Sequence, residues 1–277
     1  MKIDLTEATF IIPICIESND RLRNVITTVA FLLENFDTNI IIKEVDSESI
    51  FENIALPILR NILDVDVNIN HIYEKSHSPS FHRQKVLNEM ITLADTKIVV
   101  NYDCDVLLPL DSYHKAYNLV LHRTHDAIYP YGHGMYQKQV QASDEVVSDF
   151  LQSMDYSILD SNSTISTSDF GWVQFFNRQV YIDGGMENEN FVAYAPEDKE
   201  RFYRFTTLEY NVGRIDDYVY HLEHTRGQNS WTNNPYMHSN IQEWEMIQTM
   251  NKKELVEYYS QQNYLKKYKN YENKNHH

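Results

Sequence analysis

Apolar residues recur along the chain in two periods, and the alternation between them outlines a layered α/β fold. Thr9 to Ile16 is an apolar run of the kind a buried strand needs, and it stops at Glu17. Asp20 stands as a cap for a helix whose apolar positions, Leu22, Val25, Ile26, Val29, Leu32, Leu33 and Phe36, keep helical spacing. Ile40 to Val45 predicts a second buried strand ending at Asp46, and Ile50 to Leu63 a helix interrupted by Pro57. Val67 to Tyr73 predicts a third strand, Phe81 to Ala94 an amphipathic helix, and Lys97 to Tyr102 a fourth strand running into Asp103-Cys104-Asp105. Strands alternating with helices imply a mostly parallel sheet covered by helices. Ligands of such sheets sit at the carboxyl ends of the strands, where Glu17, Asp46, Asp103 and Asp105 are all expected.

The second half is less regular. Ser143 to Leu159 predicts a helix, Asp160 to Ser168 a polar loop, Phe170 to Asn177 a strand, Pro196 to Leu208 a helix, Tyr218 to His224 a strand and Ile241 to Lys269 a helix. There is no repeat and no clean linker, so one domain is expected.

Charge and composition narrow the chemistry. The net charge is −16, which argues against nucleic acid as a partner, because phosphate contacts need a basic face. An acidic protein can still hold a nucleoside diphosphate if a divalent cation neutralises it. Cys15 and Cys104 lie far apart in apolar runs, the pattern of buried thiols in a reducing compartment. The polar opening and the absence of a span-length apolar run make a cytoplasmic location the expectation. His276 and His277 are set aside as resembling a purification tag. Of seven glycines, three fall from Gly171 to Gly185, which marks backbone needing unusual dihedrals or close approach.

Four constellations carry candidate chemistry. Asp103 and Asp105, one residue apart at a strand exit, can reach one hard cation, Mn²⁺ or Mg²⁺; taken alone, the pair is a solvated turn. Arg83 and Lys85 open the helix before that strand and can face phosphates, with Asn88 bracing the loop; alone, they read as an ordinary charged helix start. Glu197 and Asp198 follow Pro196 at a helix N-terminus, which acidic residues stabilise in any case. That dipole should lower the pKa of both, and either could serve as general base. His221 and His224, three apart on a strand, should point to opposite faces, so that only one would be a ligand. The order of these features is more informative than any one of them.

In that order the sequence resembles the β-1,4-galactosyltransferase-like group of GT-A glycosyltransferases and related bacterial family-2 enzymes. The likeness runs over about residues 9 to 240 and rests on Ile11-Ile12-Pro13, Phe81-x-Arg83-x-Lys85-x-Leu87-Asn88, Asp103-Cys104-Asp105-Val106-Leu107-Leu108-Pro109, Asn190 to Asp198, and His224-Thr225-Arg226 followed by Asn234-Pro235. It implies a nucleotide-binding half (1–109), an irregular acceptor-side half (110–240) and a C-terminal helix (241–277). It implies Asp105 and His224 as metal ligands, and Asp103 at the metal or the donor ribose. Arg83 and Asn88 would belong to the donor side, with Glu17, Trp172 and, near the nucleobase, Asp46. Asp198 would be the base, Glu197 would orient sugar or acceptor, and Tyr194 would stand where the group has an acceptor-stacking Trp. The implied activity is inverting transfer from a UDP-linked sugar, galactose or N-acetylgalactosamine, to a glycan or lipid-linked glycan acceptor.

The sequence departs from the group at the acceptor loop. Gly-Trp-Gly-Gly before Glu-Asp is here Ala193-Tyr194-Ala195-Pro196, which predicts a stiffer loop. Rival readings are a sugar nucleotidylyltransferase, which lacks its glycine-rich loop after Ile14; a non-catalytic carbohydrate-binding relative; and a metallohydrolase using Asp103, Asp105, His221 and His224. The tail places Lys252, Lys253, Lys266, Lys267, Lys269 and Lys274 among Tyr258, Tyr259, Tyr264, Tyr268 and Tyr271. That composition suits a solvated terminal helix, with peripheral contact to anionic lipid as the alternative.

Overall fold

The computed structural model describes residues 2–63, 67, 69–227, 229 and 234–268. In chain order its elements are β1 (Ile3–Ile14), α1 (Asn19–Asn35), β2 (Phe36–Asp46), a π-helical turn (Phe51–Ala55) running into α2 (Leu56–Ile62), β3 (Asn70–Lys75), α3 (Arg83–Leu93), β4 (Ile98–Tyr102), β5 (Val106–Leu107), α4 (Leu110–Leu121), β6 (Ala127–Tyr129), β7 (Gly134–Val140), α5 (Asp144–Ser153), α6 (Tyr156–Ser161), β8 (Ser163–Ser168), β9 (Val173–Asn177), α7 (Arg178–Asp183), α8 (Glu197–Thr207), β10 (Val212–Arg214), β11 (Val219–Leu222), α9 (Met237–Ile247) and α10 (Lys252–Ser260).

The α/β expectation holds. A seven-stranded sheet has the order β10-β6-β9-β4-β1-β2-β3. β1 is parallel to β2 and β4, and β2 to β3, while β9 runs antiparallel between β4 and β6. The alternation of β1 divides the core into two layers. Phe10, Ile12 and Ile14 pack with α1 and α4, whereas Ile11 packs with Ile41, Val99 and the Val86, Leu87 and Met90 face of α3. The parallel strands β1, β2 and β4 therefore bring Glu17, Asp46 and Asp103 to one edge of the sheet.

Several expected elements differ. A second sheet, β5-β11-β7-β8, includes Ser163–Ser168, which reads as a loop because its Ser/Thr side chains carry no apolar alternation. The helix expected from Ser143 to Leu159 is two helices, broken where Met154 takes a left-handed φ of 52°. Ser18, not Asp20, is the N-cap of α1; both oxygens accept from Arg21 N, at 3.4 and 2.9 Å. Asp20 also accepts from the Thr225 backbone N–H and, at 2.8 Å, from its hydroxyl, fastening α1 to the segment after β11. The third strand sits at 70–75, later than expected, and Asn68 lies outside the described residues.

The C-terminal helix is likewise divided, with a new start at Asn251, whose side chain and Glu254 form a capping box. Leu255, Tyr259, Leu265 and Tyr268 are buried in the α3-side core, so the described tail is a packed layer and not a solvated helix. Lys269, Tyr271 and Lys274 lie outside the described residues. No helix among the described residues is long and apolar enough to cross a membrane.

Candidate active site

The carboxyl ends of β1, β2 and β3 open into a cavity of about 290 Å³, lined by Cys15, Glu17, Asp46, Ser47, the 76–81 turn and Asn229. Glu17 and Asp46, both expected on the donor side, are therefore brought together. Asp46 accepts from Ile16 N at 3.2 Å and Ser47 N at 2.7 Å, so it is fixed by backbone. Burial, together with Asp46 and Glu17, pushes the Cys15 thiol up to about 12. Glu17 accepts from Asn229 at 2.9 Å and lies so close to Gly227 that a Cβ there would collide with its Oε2.

The loop after β4 separates the two aspartates of Asp103-Cys104-Asp105. Asp103 pairs with Arg83, which also donates to Asn101 at 3.2 Å. Asp105 turns instead toward the histidines. Ligand atoms of Asp105, His221 and His224 all lie within 4.8 Å of one another, with His224 Nε2 3.0 Å and His221 Nε2 3.9 Å from Asp105 Oδ2. The expectation that only one histidine could face the site is corrected. β11 ends at Leu222, so strand alternation no longer governs His224, and both rings converge.

This cluster suits a divalent cation. His224 Nδ1 lies 2.9 Å from the Thr225 carbonyl, an arrangement that assigns the proton to Nδ1 and leaves the Nε2 lone pair facing a carboxylate oxygen. Two lone pairs at that distance require a shared proton or a cation between them. Burial acts to raise the Asp105 pKa, but the close contact with His224 and the neighbouring His221 outweigh it and hold the carboxyl well below the usual range. Asp103 is outside the triad; burial, with Asp105 and Asp198 nearby, pushes its carboxyl up against the pull of Arg83.

Glu197 and Asp198 open α8, but their environments differ. Glu197 is buried and accepts from Ala195 N. Burial and the charge of Asp198 push it up to about 8. The expectation that the helix N-terminus would lower both pKa values therefore fails at Glu197, because desolvation outweighs the dipole. Asp198 pairs with Arg201 at 2.7 Å. Tyr194 is 44% exposed at the tip of the preceding loop, where Ala193 and Ala195 adopt left-handed φ values of 59° and 64°.

Two donor-side candidates have structural partners. Asn88 is fully buried; its amide donates to Glu187 O and Glu189, and its carbonyl accepts from Glu187 N at 2.8 Å. It braces the Glu187 backbone and the Glu189 side chain, a segment about 100 residues from the helix start where the sequence placed its role. Trp172, at a left-handed φ of 66°, accepts Asp103 N on its carbonyl at 2.9 Å, and its ring packs edge-on to Tyr131. Sequence reasoning missed Arg201, Glu187 and Gln174, although the three-residue spacing of Asp198 and Arg201 on a helix was a readable signal. It also missed Asn240, whose side chain bonds Val192 N, Val192 O and Ala195 O.

No family model matches the sequence, and no curated protein matches it. Solved structures do match. TarS of S. aureus (residues 1–349), in complex with UDP-GlcNAc, aligns over 83% of this chain and 60% of its own, with a TM-score of 0.50 and 12% identity. The mannosyltransferase PcManGT of Pyrobaculum calidifontis, in complex with GDP-Man and Mn²⁺, aligns over 78% of this chain and 56% of its own, with a TM-score of 0.49 and 14% identity. The chain shares the α/β fold of the TarS structure. The chain spans about three-fifths of the length of these two structures.

Proposed function

We propose that the protein is a metal-dependent, inverting glycosyltransferase of the galactosyltransferase-like kind, moving a sugar from a UDP-linked donor to a glycan hydroxyl. The observation that carries this reading is the gathering of a carboxylate–bis-histidine cluster, an arginine and a Glu–Asp pair around the loop that follows β4. Asp103 links them: its carboxylate pairs with Arg83, and its N–H bonds the carbonyl of Trp172, next to Gly171, which lies against Asp198.

Asp105, His221 and His224 would hold a Mn²⁺ or Mg²⁺ ion, which when bound would neutralise the donor diphosphate. The cavity beside Glu17 and Asp46 gives the nucleoside a place. Asp198 takes the proton of the acceptor hydroxyl while its oxygen forms a bond to the anomeric carbon from the face opposite the leaving group. The bond from that carbon to the phosphate oxygen breaks, and its electron pair leaves with the diphosphate. Arg83 faces that departing charge. Glu197, pushed up to about 8 by burial and the charge of Asp198, is suited to hydrogen-bond sugar hydroxyls as a proton donor, which leaves the base role to Asp198. Tyr194 offers a surface for the acceptor ring.

The test is a screen of nucleotide-sugars with Mn²⁺, reading both nucleoside diphosphate release and product mass. Release that depends on acceptor, is abolished by EDTA and is restored by Mn²⁺ or Mg²⁺ is the expected result. Full activity in EDTA would overturn the metal assignment, and hydrolysis without product on any acceptor would overturn the transferase reading.

A further inference from the structure

Arg201 is fully buried, and each of its three guanidinium nitrogens has a partner. Nε and one terminal nitrogen bond the two oxygens of Glu187, at 2.7 and 3.1 Å. The other terminal nitrogen bonds Gln174 Oε1 at 2.9 Å. The nitrogen that reaches Glu187 Oε2 also donates to Asp198 Oδ1, at 2.7 Å. Each anchor is held in turn. Tyr181 donates to Glu187, Asn88 fixes the Glu187 backbone, and Gln174 donates to the carbonyls of Phe170 and Gly171. A buried ion pair for stability alone would be complete with Arg201 and Glu187. The fork extends beyond that pair to a carboxylate that is only partly buried.

The opposite side of Asp198 is also defined. A Cβ at Gly171 would lie 3.1 Å from Asp198 Oδ2, so the absence of a side chain there leaves room for that oxygen. We infer that Arg201 is a positioning residue: it occupies Oδ1 of Asp198 and leaves Oδ2, in the space beside Gly171, as the single oxygen that takes the acceptor proton. The inference rests on the transferase reading above. A one-oxygen base matters because a misplacement of about 1 Å can cost on the order of 10²-fold in rate. Glu187, Arg201 and Gln174 come from three separate segments, so their geometry is set by the packed core and not by the acceptor loop.

The test compares two variants that both break the Arg201–Glu187 pair. Arg201→Lys keeps the charge but cannot span Glu187, Gln174 and Asp198 at once. Glu187→Gln leaves Arg201 on Asp198. Both should lower Tm. Arg201→Lys should lower kcat on the order of 10- to 100-fold, and Glu187→Gln, which removes one anchor of Arg201 but keeps its contact with Asp198, by a clearly smaller factor, with the donor KM unchanged in both. Equal kcat losses in both variants, or none in Arg201→Lys, would overturn the inference. If Arg201→Lys does not fold, the double variant Arg201→Gln/Glu187→Gln, which buries no unpaired charge, takes its place with the same expectation. A wild-type protein that transfers no sugar would refute the transferase reading separately. The ¹³C signal of the Asp198 carboxyl, assigned with Asp198→Asn, then decides: a change in Arg201→Lys but not in Glu187→Gln supports the positioning contact, and the same spectrum in all three overturns it.

Discussion

The two halves of the site are built in different ways. On the proposed donor side, Glu17, Asp46 and Asp103 take their places from the ends of parallel strands, where Asp46 is held by Ile16 N and Ser47 N, Asp103 by Arg83 and Glu17 by Asn229. On the acceptor side, the loop from Met186 to Pro196 has no regular structure and is held from a distance. Asn88 on α3 fixes Glu187, Asn240 on α9 bonds Val192 and Ala195, and Tyr258 and Glu243 hold Asn190. The C-terminal helices thus do for the acceptor loop what the sheet does for the donor residues. Changes on one side should alter donor affinity, and changes on the other should alter turnover.

The sharpest separation is expected at Asp198. Asp198→Asn keeps the shape and the contact with Arg201 but removes the proton acceptor. Turnover should fall on the order of 10²- to 10⁴-fold, while donor binding, measured calorimetrically with Mn²⁺, stays near wild type. Near-wild-type turnover in this variant, with Glu197→Gln inactive, would reverse the assignment of the two carboxyls. Asn240→Ala comes next. It removes three hydrogen bonds from a fully buried side chain and should cost about 2–4 kcal/mol in chemical denaturation. In the folded fraction it should lower turnover without changing donor affinity; a donor affinity that falls with it would mean that α9 serves both halves. Arg83→Ala tests the other side and should weaken donor binding by about 1.5–3 kcal/mol, leaving acceptor KM unchanged. An unaltered donor affinity would remove Arg83 from the donor site.

The same division explains what the sequence allowed one to read. The sheet edge was legible because strand and helix periods alternate cleanly from Thr9 to Tyr102, and polar residues stand where each strand stops. The convergence of His221 and His224 was hidden, because it depends on β11 ending at Leu222, and end residues are the least certain part of any pattern. β8 was hidden because a Ser/Thr strand carries no apolar period. The tail's lysines suggested solvent, yet Tyr259 and Tyr268 face the core, and nothing in the tail's own sequence records that α3 and α8 lie beneath it. Arg201 has the right spacing from Asp198, but its partners Glu187 and Gln174 are 14 and 27 residues away, and only the fold brings them together.

The smallest expected effect concerns the loop that departs from the glycine-rich pattern the sequence otherwise resembles. Replacing glycines with Ala193 and Ala195 predicts a stiffer loop. The observed φ values of 59° and 64° keep both alanines in the left-handed region, where a Cβ crowds the following carbonyl at roughly 1–2 kcal/mol per residue. Hydrogen bonds from Asn240 to Ala195 O and from Asn234 to Tyr194 O, at 3.1 and 2.9 Å, hold the loop there. Ala195→Gly relieves that crowding but gives the unfolded chain more freedom, an opposing effect of about 0.5–1 kcal/mol. The net change should be a stabilisation of less than about 1 kcal/mol in urea denaturation, with little change in turnover. Ala195→Val, β-branched in the same conformation, should destabilise clearly. If Ala195→Gly destabilised as much as Ala195→Val, the left-handed conformation would carry no strain. The difference from the glycine-rich loop would then lie in the path of the backbone and not only in the residues that occupy it.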